Sequence, residues 1–471
     1  MNAPFIWIIL PGAIGVILFF LLRFRRMVSL AGLVTSLLLV LAVYVLPLGK
    51  PIVVGRWSIE ISEAWVILGR TFILESHKHS MVVLLYLTIA FWFGGTSIGD
   101  IDRRIVPMGL GIASLLSAAL FVQPFLYAAI FIEMAVLVCA ALLVSPSQAV
   151  PPGVLRFLTF QTLGLPFILM AGWMLSGIEA NPGDAALVRQ VGVLVALGFG
   201  LLMAIFPFHS WIPMLAEEAN PYITAFVYFA LTLAISLFVI NFLDRYNWLY
   251  ASPWLLVFLR LSGVLMVALG GIAGAFQKHL GRLMGFSMLV EIGNSLLAMS
   301  LGSGGLENRD NFRILFASFL PRGLSLGMLG LALVIIRSQA GSLEYNRIRG
   351  LARNYWLSTA SIFIGLLSLA GFPLTAGFPI RLILWQELSQ QFPLAAYAAI
   401  IGSSGILIGS LRAVGVLVLG SDQQPWRTLE TAGQKSLLFA SLLITIVIGL
   451  YPQGIYPILY RMALIFLRLE P

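Results

Sequence analysis

Apolar segments long enough to cross a bilayer follow one another along almost the whole chain. We count fourteen, and most are close to the roughly 20 residues that a helix needs to span the hydrocarbon core. Runs such as VVLLYLTIAFWF do not alternate in polarity, which excludes an outer-membrane barrel. The sequence therefore predicts an all-α integral membrane protein with about fourteen transmembrane helices. The segments are 5–22, 28–47, 80–98, 105–122, 124–144, 154–176, 186–207, 222–243, 253–275, 283–301, 312–336, 356–389, 396–420 and 436–451.

Polar residues of the kind that build enzyme sites are scarce. Hydrophobic residues make up 60% of the chain and charged residues only 10%, a balance that suits a bilayer and no soluble core. Cys139 is the single cysteine, and the four histidines lack the spacing of a metal site. We find no iron–sulfur cysteine cluster, dinucleotide glycine fingerprint or pair of haem ligands. We therefore expect no cofactor, no metal and no catalytic residue, and the sequence indicates no nucleic-acid partner.

Two of the apolar segments are interrupted by proline. The seventh breaks at FPFHSWIP, with Pro207 and Pro213, and the twelfth breaks at AGFPLTAGFPIR, with Pro373 and Pro379. Proline removes an amide donor, so the freed carbonyls need protein or water as partners, and we expect a hydrated pocket beside His209. Breaks at matching places in two halves indicate internal repeats with a transport path between them. The alternative is that proline and glycine are simply common in membrane helices.

Four charged side chains lie in the middle of apolar segments, namely Glu133, Glu291, Arg322 and Arg381. An ionisable group at this depth costs at least a few kcal/mol unless it is paired or hydrated, so these positions are informative. Glutamate and histidine exchange protons, and we predict a proton path through Glu133, His209 and Glu291. Arginine does not deprotonate, so Arg322 and Arg381 are predicted to be fixed charges on the same polar axis. The alternative is a set of structural ion pairs.

Three motifs carry a resemblance to a known family. They are FPFHSWIPMLAEEANPYITAF, AFQKHLGRLMGFSMLVEIG and LSLAGFPLTAGFPIR, in this order along the chain. They resemble the signatures of the antiporter-like membrane subunits of respiratory complex I (the N, M and L subunits of NADH:quinone oxidoreductase) and of Mrp-type cation/proton antiporters. The resemblance implies fourteen helices, two inverted five-helix repeats with broken helices 7 and 12, and a central file of charged residues and water. It also implies proton passage coupled to a redox partner or to a cation gradient.

The match to the family's charged residues is uneven. Glu133 falls at the glutamate of the fifth helix, but the lysine that it normally faces on the seventh helix is Leu202, and the lysine of the eighth is Ala234. Glu291 replaces the histidine of the tenth helix, Arg322 the lysine of the eleventh, and Arg381 the lysine or glutamate of the twelfth. None of the chain's lysines lies in mid-segment; they are Lys50, Lys78, Lys278 and Lys435. The scaffold is therefore predicted to persist without the buried lysines.

The resemblance divides the chain into four parts. An N-terminal three-helix region covers 1–104 and includes an outer loop at 48–79, in which the alternating stretch IVVGRWSIEI predicts a short hairpin. The first inverted repeat is expected over 105–243 and the second over 253–420. A C-terminal helix and tail occupy 421–471, and the end of this tail is a candidate interfacial helix.

These features predict a membrane-arm, antiporter-like subunit of a complex I-like oxidoreductase or a related redox complex. Its partners would be other membrane-arm subunits, including other antiporter-like ones, in the lipid bilayer of an energy-transducing membrane. With the buried lysines missing, it would provide a proton path or a degenerate, structural version of one. One alternative is a subunit of an Mrp-type cation/proton antiporter. A second is a stand-alone secondary transporter for a small anion, with Arg322 and Arg381 as its positive charge.

Basic residues are unevenly shared between the two sides of the predicted membrane. When both termini are placed outside, the inner connections carry fourteen lysines and arginines and the outer ones eight. Cytoplasmic connections carry the excess of positive charge in membrane proteins. We therefore predict that both termini face the outside and that the 338–355 connection faces the inside.

This orientation is tested by placing a single cysteine in the 338–355 connection of a chain in intact cells. A membrane-impermeant thiol reagent should leave that cysteine unlabelled until the membrane is opened. A second cysteine in the 48–79 loop should be labelled at once. Labelling of the 338–355 position in intact cells would contradict the predicted orientation.

Overall fold

The computed structural model describes residues 2–46, 51–54, 57–98, 101–145, 149–180, 185–246, 253–301, 311–420 and 426–466. Each of the fourteen predicted segments coincides with one helix or with a pair of helices. The helices are α1 (Ala3–Phe20), α2 (Arg25–Val45), α3 (His79–Thr96), α4 (Ile105–Phe121), α5 (Ala128–Leu143), α6 (Pro152–Ala180), α7 (Ala185–Leu202), α8 (Trp211–Glu218), α9 (Pro221–Arg245), α10 (Pro253–Ala275), α11 (Leu280–Met299), α12 (Asn311–Ala340), α13 (Tyr345–Ile348), α14 (Trp356–Ala370), α15 (Phe378–Gln391), α16 (Pro393–Val418), α17 (Ala432–Leu450) and α18 (Tyr456–Phe466).

Length and composition identify the helices that can cross a membrane. Among the described residues, ten helices are long and apolar enough to do so, and three shorter apolar helices lie at Ile105–Phe121, Leu187–Leu202 and Trp356–Ala370. The all-helical membrane fold is thereby confirmed, whereas the count of fourteen crossings stays a prediction. The helix α18 lies where the tail was expected to form an interfacial helix.

A small β-structure joins α2 to α3 at the end of the bundle that carries Asn2. The strand β1 (Pro51–Val54) pairs antiparallel with β2 (Trp57–Glu60), which confirms the predicted hairpin. A second hairpin, formed by β3 (Ala64–Ile67) and β4 (Arg70–Ile73), extends to β5 (Val122–Gln123) between α4 and α5. This sheet ties the N-terminal region to the first half of the bundle.

Both predicted breaks are present, and they are built alike. The chain leaves the helix between the end of α7 and the start of α8, and again between α14 and α15. Pro213 and Pro379 lie in the first turn of the second helix of each pair, where a missing amide donor costs little. Ala204 and Leu374 adopt positive φ values of 55° and 69°, which side chains disfavour. The surrounding packing therefore holds both breaks in a strained backbone conformation.

Two helices form the centre of the bundle. The spans of α9 and α12 are each 89% buried, more than any other candidate span in the described chain, and they pack against each other. The helix pairs that touch within 105–245 have counterparts within 253–418: α4 with α5 corresponds to α10 with α11, and α6 with α7 corresponds to α12 with α14. The two halves are thus assembled by the same set of neighbours.

Glycine allows the closest helix approach in the second half. A Cβ atom on Gly271 of α10 would lie 2.3 Å from the Cα atom of Gly402 on α16, and one on Gly405 would lie 2.2 Å from the carbonyl oxygen of Gly271. Small residues at such spacing let membrane helices pack backbone to backbone, where dispersion replaces the hydrophobic effect as the source of stability.

Arginines close the C-terminal ends of five helices on one face of the bundle. This face, called the inner face below, is the one that the charge bias assigns to the inside. A helix C-terminus presents unpaired carbonyls and a partial negative charge, which cations stabilise. The donor–acceptor pairs are Arg25 to the Thr96 carbonyl of α3, Arg104 to Val144 after α5, Arg337 to Ala219 after α8, Arg412 to Ala275 of α10 and Arg349 to Leu419 after α16.

The Glu430 carboxylate plays the complementary role at a helix N-terminus. It is 4% exposed, and its Oε1 atom accepts hydrogen bonds of 2.7 Å from both the amide and the hydroxyl of Ser358 in the first turn of α14. We expect Glu430→Ala to lower the free energy of unfolding by about 1–3 kcal/mol, because a buried donor loses its acceptor. Denaturation of the full chain in detergent measures this loss. Glu430→Gln keeps one acceptor oxygen and should lose less; equal losses would show that the carboxylate oxygens are not what matters.

Candidate functional site

Three of the predicted site residues meet in one buried cluster, which we call the triad. Glu291 comes from α11, Arg322 from α12 and Arg381 from α15, and their exposures are 5%, 2% and 6%. The Nε atom of Arg322 lies 2.9 Å from Oε2 of Glu291, and Nη2 of Arg381 donates to Oε1 of the same carboxylate. One carboxylate thus joins three helices of the second half through charge-assisted hydrogen bonds.

Further polar groups fix the arginine side chains. Nη2 of Arg322 donates to the hydroxyl of Ser295 at 2.7 Å and to the carbonyl of Glu291 at 3.3 Å. Nη2 of Arg381 donates to the carbonyl of Leu369 at 3.0 Å, in the last turn of α14. Arg381, on α15, therefore bridges the second break. Its guanidinium thus links the Glu291 carboxylate to the end of α14.

A glycine is required where Arg381 passes the end of α14. Gly371 follows the last helical residue with a φ of 71°, a conformation that side chains rarely adopt. A Cβ atom there would lie 2.5 Å from Cγ of Arg381. The stretch LAGFP thus supplies both the helix end and the space for the arginine.

The first half places its glutamate in different surroundings. Oε1 of Glu133 on α5 accepts a 2.7 Å hydrogen bond from the hydroxyl of Thr162 on α6, and Thr162 is exposed at the surface of the chain. In the part of the chain that the structure describes, no lysine or arginine pairs with Glu133. The predicted axis is therefore divided: the structure does not bring Glu133 into contact with the triad.

The two positions of the missing lysines differ in their surroundings. Leu202 is buried at the end of α7 and packs against α6, where a Cβ atom on Gly164 would lie 2.7 Å from its Cγ atom. Ala234 on α9 instead lines a cavity of about 210 Å³, together with apolar side chains and with charged residues that include Lys78, Asp244 and Arg245. One lysine position is filled by packed hydrocarbon, and the other opens onto free space.

His209 and the acids near the first break are not part of one pocket. His209 stacks on Phe206 with ring centroids 5.5 Å apart, and both lie on the partly exposed segment between α7 and α8. Glu218 accepts a 2.7 Å hydrogen bond from the amide of Gly153 at the start of α6, and Glu217 lies 3.4 Å from Arg282. A small cavity beside the break is lined largely by apolar residues, and His209 does not border it. The hydrated pocket expected beside His209 therefore stays a prediction.

A polar cavity on the inner face went unrecognised in the sequence. It measures about 500 Å³ and is lined by Glu217, Lys278, His279, Arg282 and Glu344, among others. Nδ1 of His279 accepts from the amide of Arg282 and so caps the start of α11. Burial lowers the pKa of His279 from its ordinary value, although nearby Glu217 and Glu344 raise it. A polar residue directly before an apolar run is an N-cap signal that could have marked this position.

The buried Glu291 and the half-buried Glu133 allow a matched test of the triad. Glu291→Gln should lower the free energy of unfolding by about 3–5 kcal/mol, because two buried arginines lose their only carboxylate among the described residues. Glu133→Gln, the same change in the other half, should cost less than about 1.5 kcal/mol, since the Thr162 hydroxyl can still donate to the amide oxygen. Denaturation of the full chain in detergent measures both. Equal losses would contradict the division of charge between the halves.

Comparison with known proteins supports a family assignment for more than half of the chain. A family model described as NADH:quinone oxidoreductase/Mrp antiporter, transmembrane, matches residues 155–409. The NADH-quinone oxidoreductase subunit N of Desulfitobacterium hafniense is 29% identical over 59% of this chain and 58% of its own length. The protein of the same name from Thiobacillus denitrificans is 25% identical over 82% of this chain and 83% of its own.

The fold is also that of a solved respiratory membrane protein. A chain of the archaeal membrane-bound sulfane sulfur reductase superposes with a TM-score of 0.79 at 16% identity, covering 98% of this chain and 97% of that one. The model match extends over more than half of the 471 residues and includes all three members of the triad. The chain therefore belongs to the NADH:quinone oxidoreductase/Mrp antiporter transmembrane family.

Proposed function

We propose that this chain is a membrane-arm, antiporter-like subunit of a redox-driven complex of the complex I type, in an energy-transducing membrane. Its partners are other membrane-arm subunits, including further antiporter-like ones. Its second half holds fixed charge, and its first half has lost the proton switch of the family. The observation that carries this proposal is the contrast between the triad around Glu291 and the apolar residues Leu202 and Ala234.

The chemistry of a pump step explains why this contrast matters. Such a step needs a group whose proton affinity changes when a neighbouring charge moves, as in a glutamate–lysine pair. The Thr162 hydroxyl that contacts Glu133 carries no charge and cannot take this part. In the triad, the arginines do not release protons, and both bind the Glu291 carboxylate. The triad therefore suits an electrostatic lock better than a proton relay.

The two other functions that the sequence allows receive less support. The sequence relatives at 25–29% identity are NADH-quinone oxidoreductase N subunits, which favours a redox complex over an Mrp-type antiporter. A stand-alone anion transporter would need arginines that a substrate can reach from outside the bundle, whereas both triad arginines are more than nine-tenths buried and bound to Glu291. Identification of the subunits that co-purify with the chain separates these functions: redox subunits support the proposal, and a set of antiporter subunits without them contradicts it.

The equivalent packing of the two halves supports the division of the chain into repeats. We propose that 105–243 and 253–420 are inverted repeats, flanked by an N-terminal three-helix region over 1–104 and a C-terminal part over 421–471. The breaks between α7 and α8 and between α14 and α15 occupy matching positions in this division. Each repeat then contributes its own cluster of polar residues.

The loss of the first proton switch is tested by Glu133→Gln in the assembled complex. Proton uptake per electron-transfer turnover, measured in sealed vesicles, should stay within about 10% of the native ratio. The reason is that Glu133, without a charged partner among the described residues, takes no part in a pump step. Glu387→Gln, which removes another partly buried acid from an apolar helix, serves as the matched control. A large drop in the ratio for Glu133→Gln alone, with assembly intact, would show that the first half still pumps.

A further inference from the structure

The triad does not balance its own charge. Two guanidinium groups face one carboxylate, and in the described part of the chain the ion pairs of both Arg322 and Arg381 go to Glu291. One positive charge is therefore left over at a position where all three side chains are at least nine-tenths buried. An uncompensated buried charge is strongly disfavoured, so a further negative charge close by would stabilise the cluster.

The hydrogen-bond inventory of Arg322 points to where that charge would lie. The guanidinium has five N–H donors. Nε donates to Glu291, and Nη2 donates to the Glu291 carbonyl and to Ser295, with Ser318 at 3.4 Å. Nη1 is enclosed and has no hydrogen-bond partner among the described residues. Arg322 Nη1 is thus the enclosed donor of the triad that lacks a partner, and it marks where the further negative charge would lie.

A small cavity borders the triad. It measures about 30 Å³ and is lined by the triad residues, by Asn294, Ser295, Ser318 and Ser368, and by apolar side chains such as Ala298. One water needs about 10–15 Å³ on this measure, so there is room for about two water-sized groups. A tetrahedral oxyanion such as phosphate is too large. A monatomic anion beside one water fits.

The polar atoms of Asn294 also fit a cavity that holds one anion and one water. Nδ2 of Asn294 donates to the Val290 carbonyl, and its Oδ1 is enclosed without a partner among the described residues. An anion repels that oxygen, whereas a water can donate to it and to the anion at once. Nη1 of Arg322 would then bind the anion directly, and each enclosed polar atom would gain a partner.

We propose that a chloride ion, or another halide, resides in this cavity as the counter-ion of the triad, bound by Arg322 Nη1. The halide makes the cluster neutral without a second carboxylate. It is a resident ion and plays no part in proton transfer, so the inference stands or falls separately from the proposed function.

The first experiment measures thermal unfolding of the full chain in detergent at constant ionic strength. Replacing sodium gluconate by sodium chloride or bromide should raise the unfolding midpoint by about 2 °C or more and should saturate, as expected for a ligand that binds the folded state. Gluconate is too large for the cavity. A midpoint that does not respond to halide contradicts the proposal and leaves water alone in the cavity.

Variants separate a bound halide from a general salt effect. Arg322→Gln leaves the Glu291–Arg381 pair neutral and should abolish the halide response. Ala298→Val keeps both arginines but fills the cavity, and it should abolish the response as well. Arg260→Gln removes another arginine from an apolar helix, one that stacks on Phe392 away from the cavity, and should keep the response. A response that persists in Arg322→Gln would overturn the proposal.

The native chain also provides a direct readout if the variants fail to fold. Crystals of the full chain grown in sodium bromide should show an anomalous difference peak within hydrogen-bonding distance of Arg322 Nη1. A peak there supports the bound halide, and its absence from well-ordered density at the triad contradicts it.

Discussion

In hydrocarbon, every backbone amide and carbonyl must find its partner within the protein, and the rest of this structure depends on how that demand is met. Inside a helix, the amides and carbonyls bond to one another, so side chains are needed only at helix ends and breaks. Arg104 and Arg337 donate to the terminal carbonyls of helices other than their own. Glu430 accepts from a backbone amide at the start of α14. Basic residues that the sequence presents as markers of orientation are thus also the parts that join one helix to the next.

The same demand shapes the two halves differently. At the second break, a charged side chain satisfies the free carbonyl: Arg381 binds both the Leu369 carbonyl and the Glu291 carboxylate. At the first break, a neutral amide does so, because Nε2 of Gln161 donates to the Leu202 carbonyl at 3.0 Å. Of the residues that the structure describes in 105–243 and 253–420, the buried charged ones all lie in the second range. The uneven distribution of buried charge means that the two parts of the chain do not offer two equivalent sets of charged residues.

The sequence predicts the helices and both breaks well, because apolar length and proline act locally. It also marks Glu291, Arg322 and Arg381 as costly residues that need one another, since few other charges lie at that depth. It does not show that Glu133 meets Thr162 near the surface or that His209 stacks on Phe206. Those contacts depend on which face each helix turns to its neighbours, and an apolar run with a hydrophobic residue on every side leaves that rotation undetermined. The inner-face cavity at His279 was missed for another reason, because its walls come from parts of the chain that are far apart in sequence, around Glu217, Lys278 and Glu344.

The bridge that Arg381 makes across the second break has a mechanical consequence. Bending α15 away from α14 would pull the guanidinium from the Leu369 carbonyl and would separate opposite charges inside the bundle. At the first break, the bond from Gln161 to the Leu202 carbonyl joins α6 to α7, so it does not hold α8 against α7. The two breaks look alike in sequence, yet among the described residues a buried ion pair spans only the second one. We therefore expect bending between α14 and α15 to cost more free energy than bending between α7 and α8.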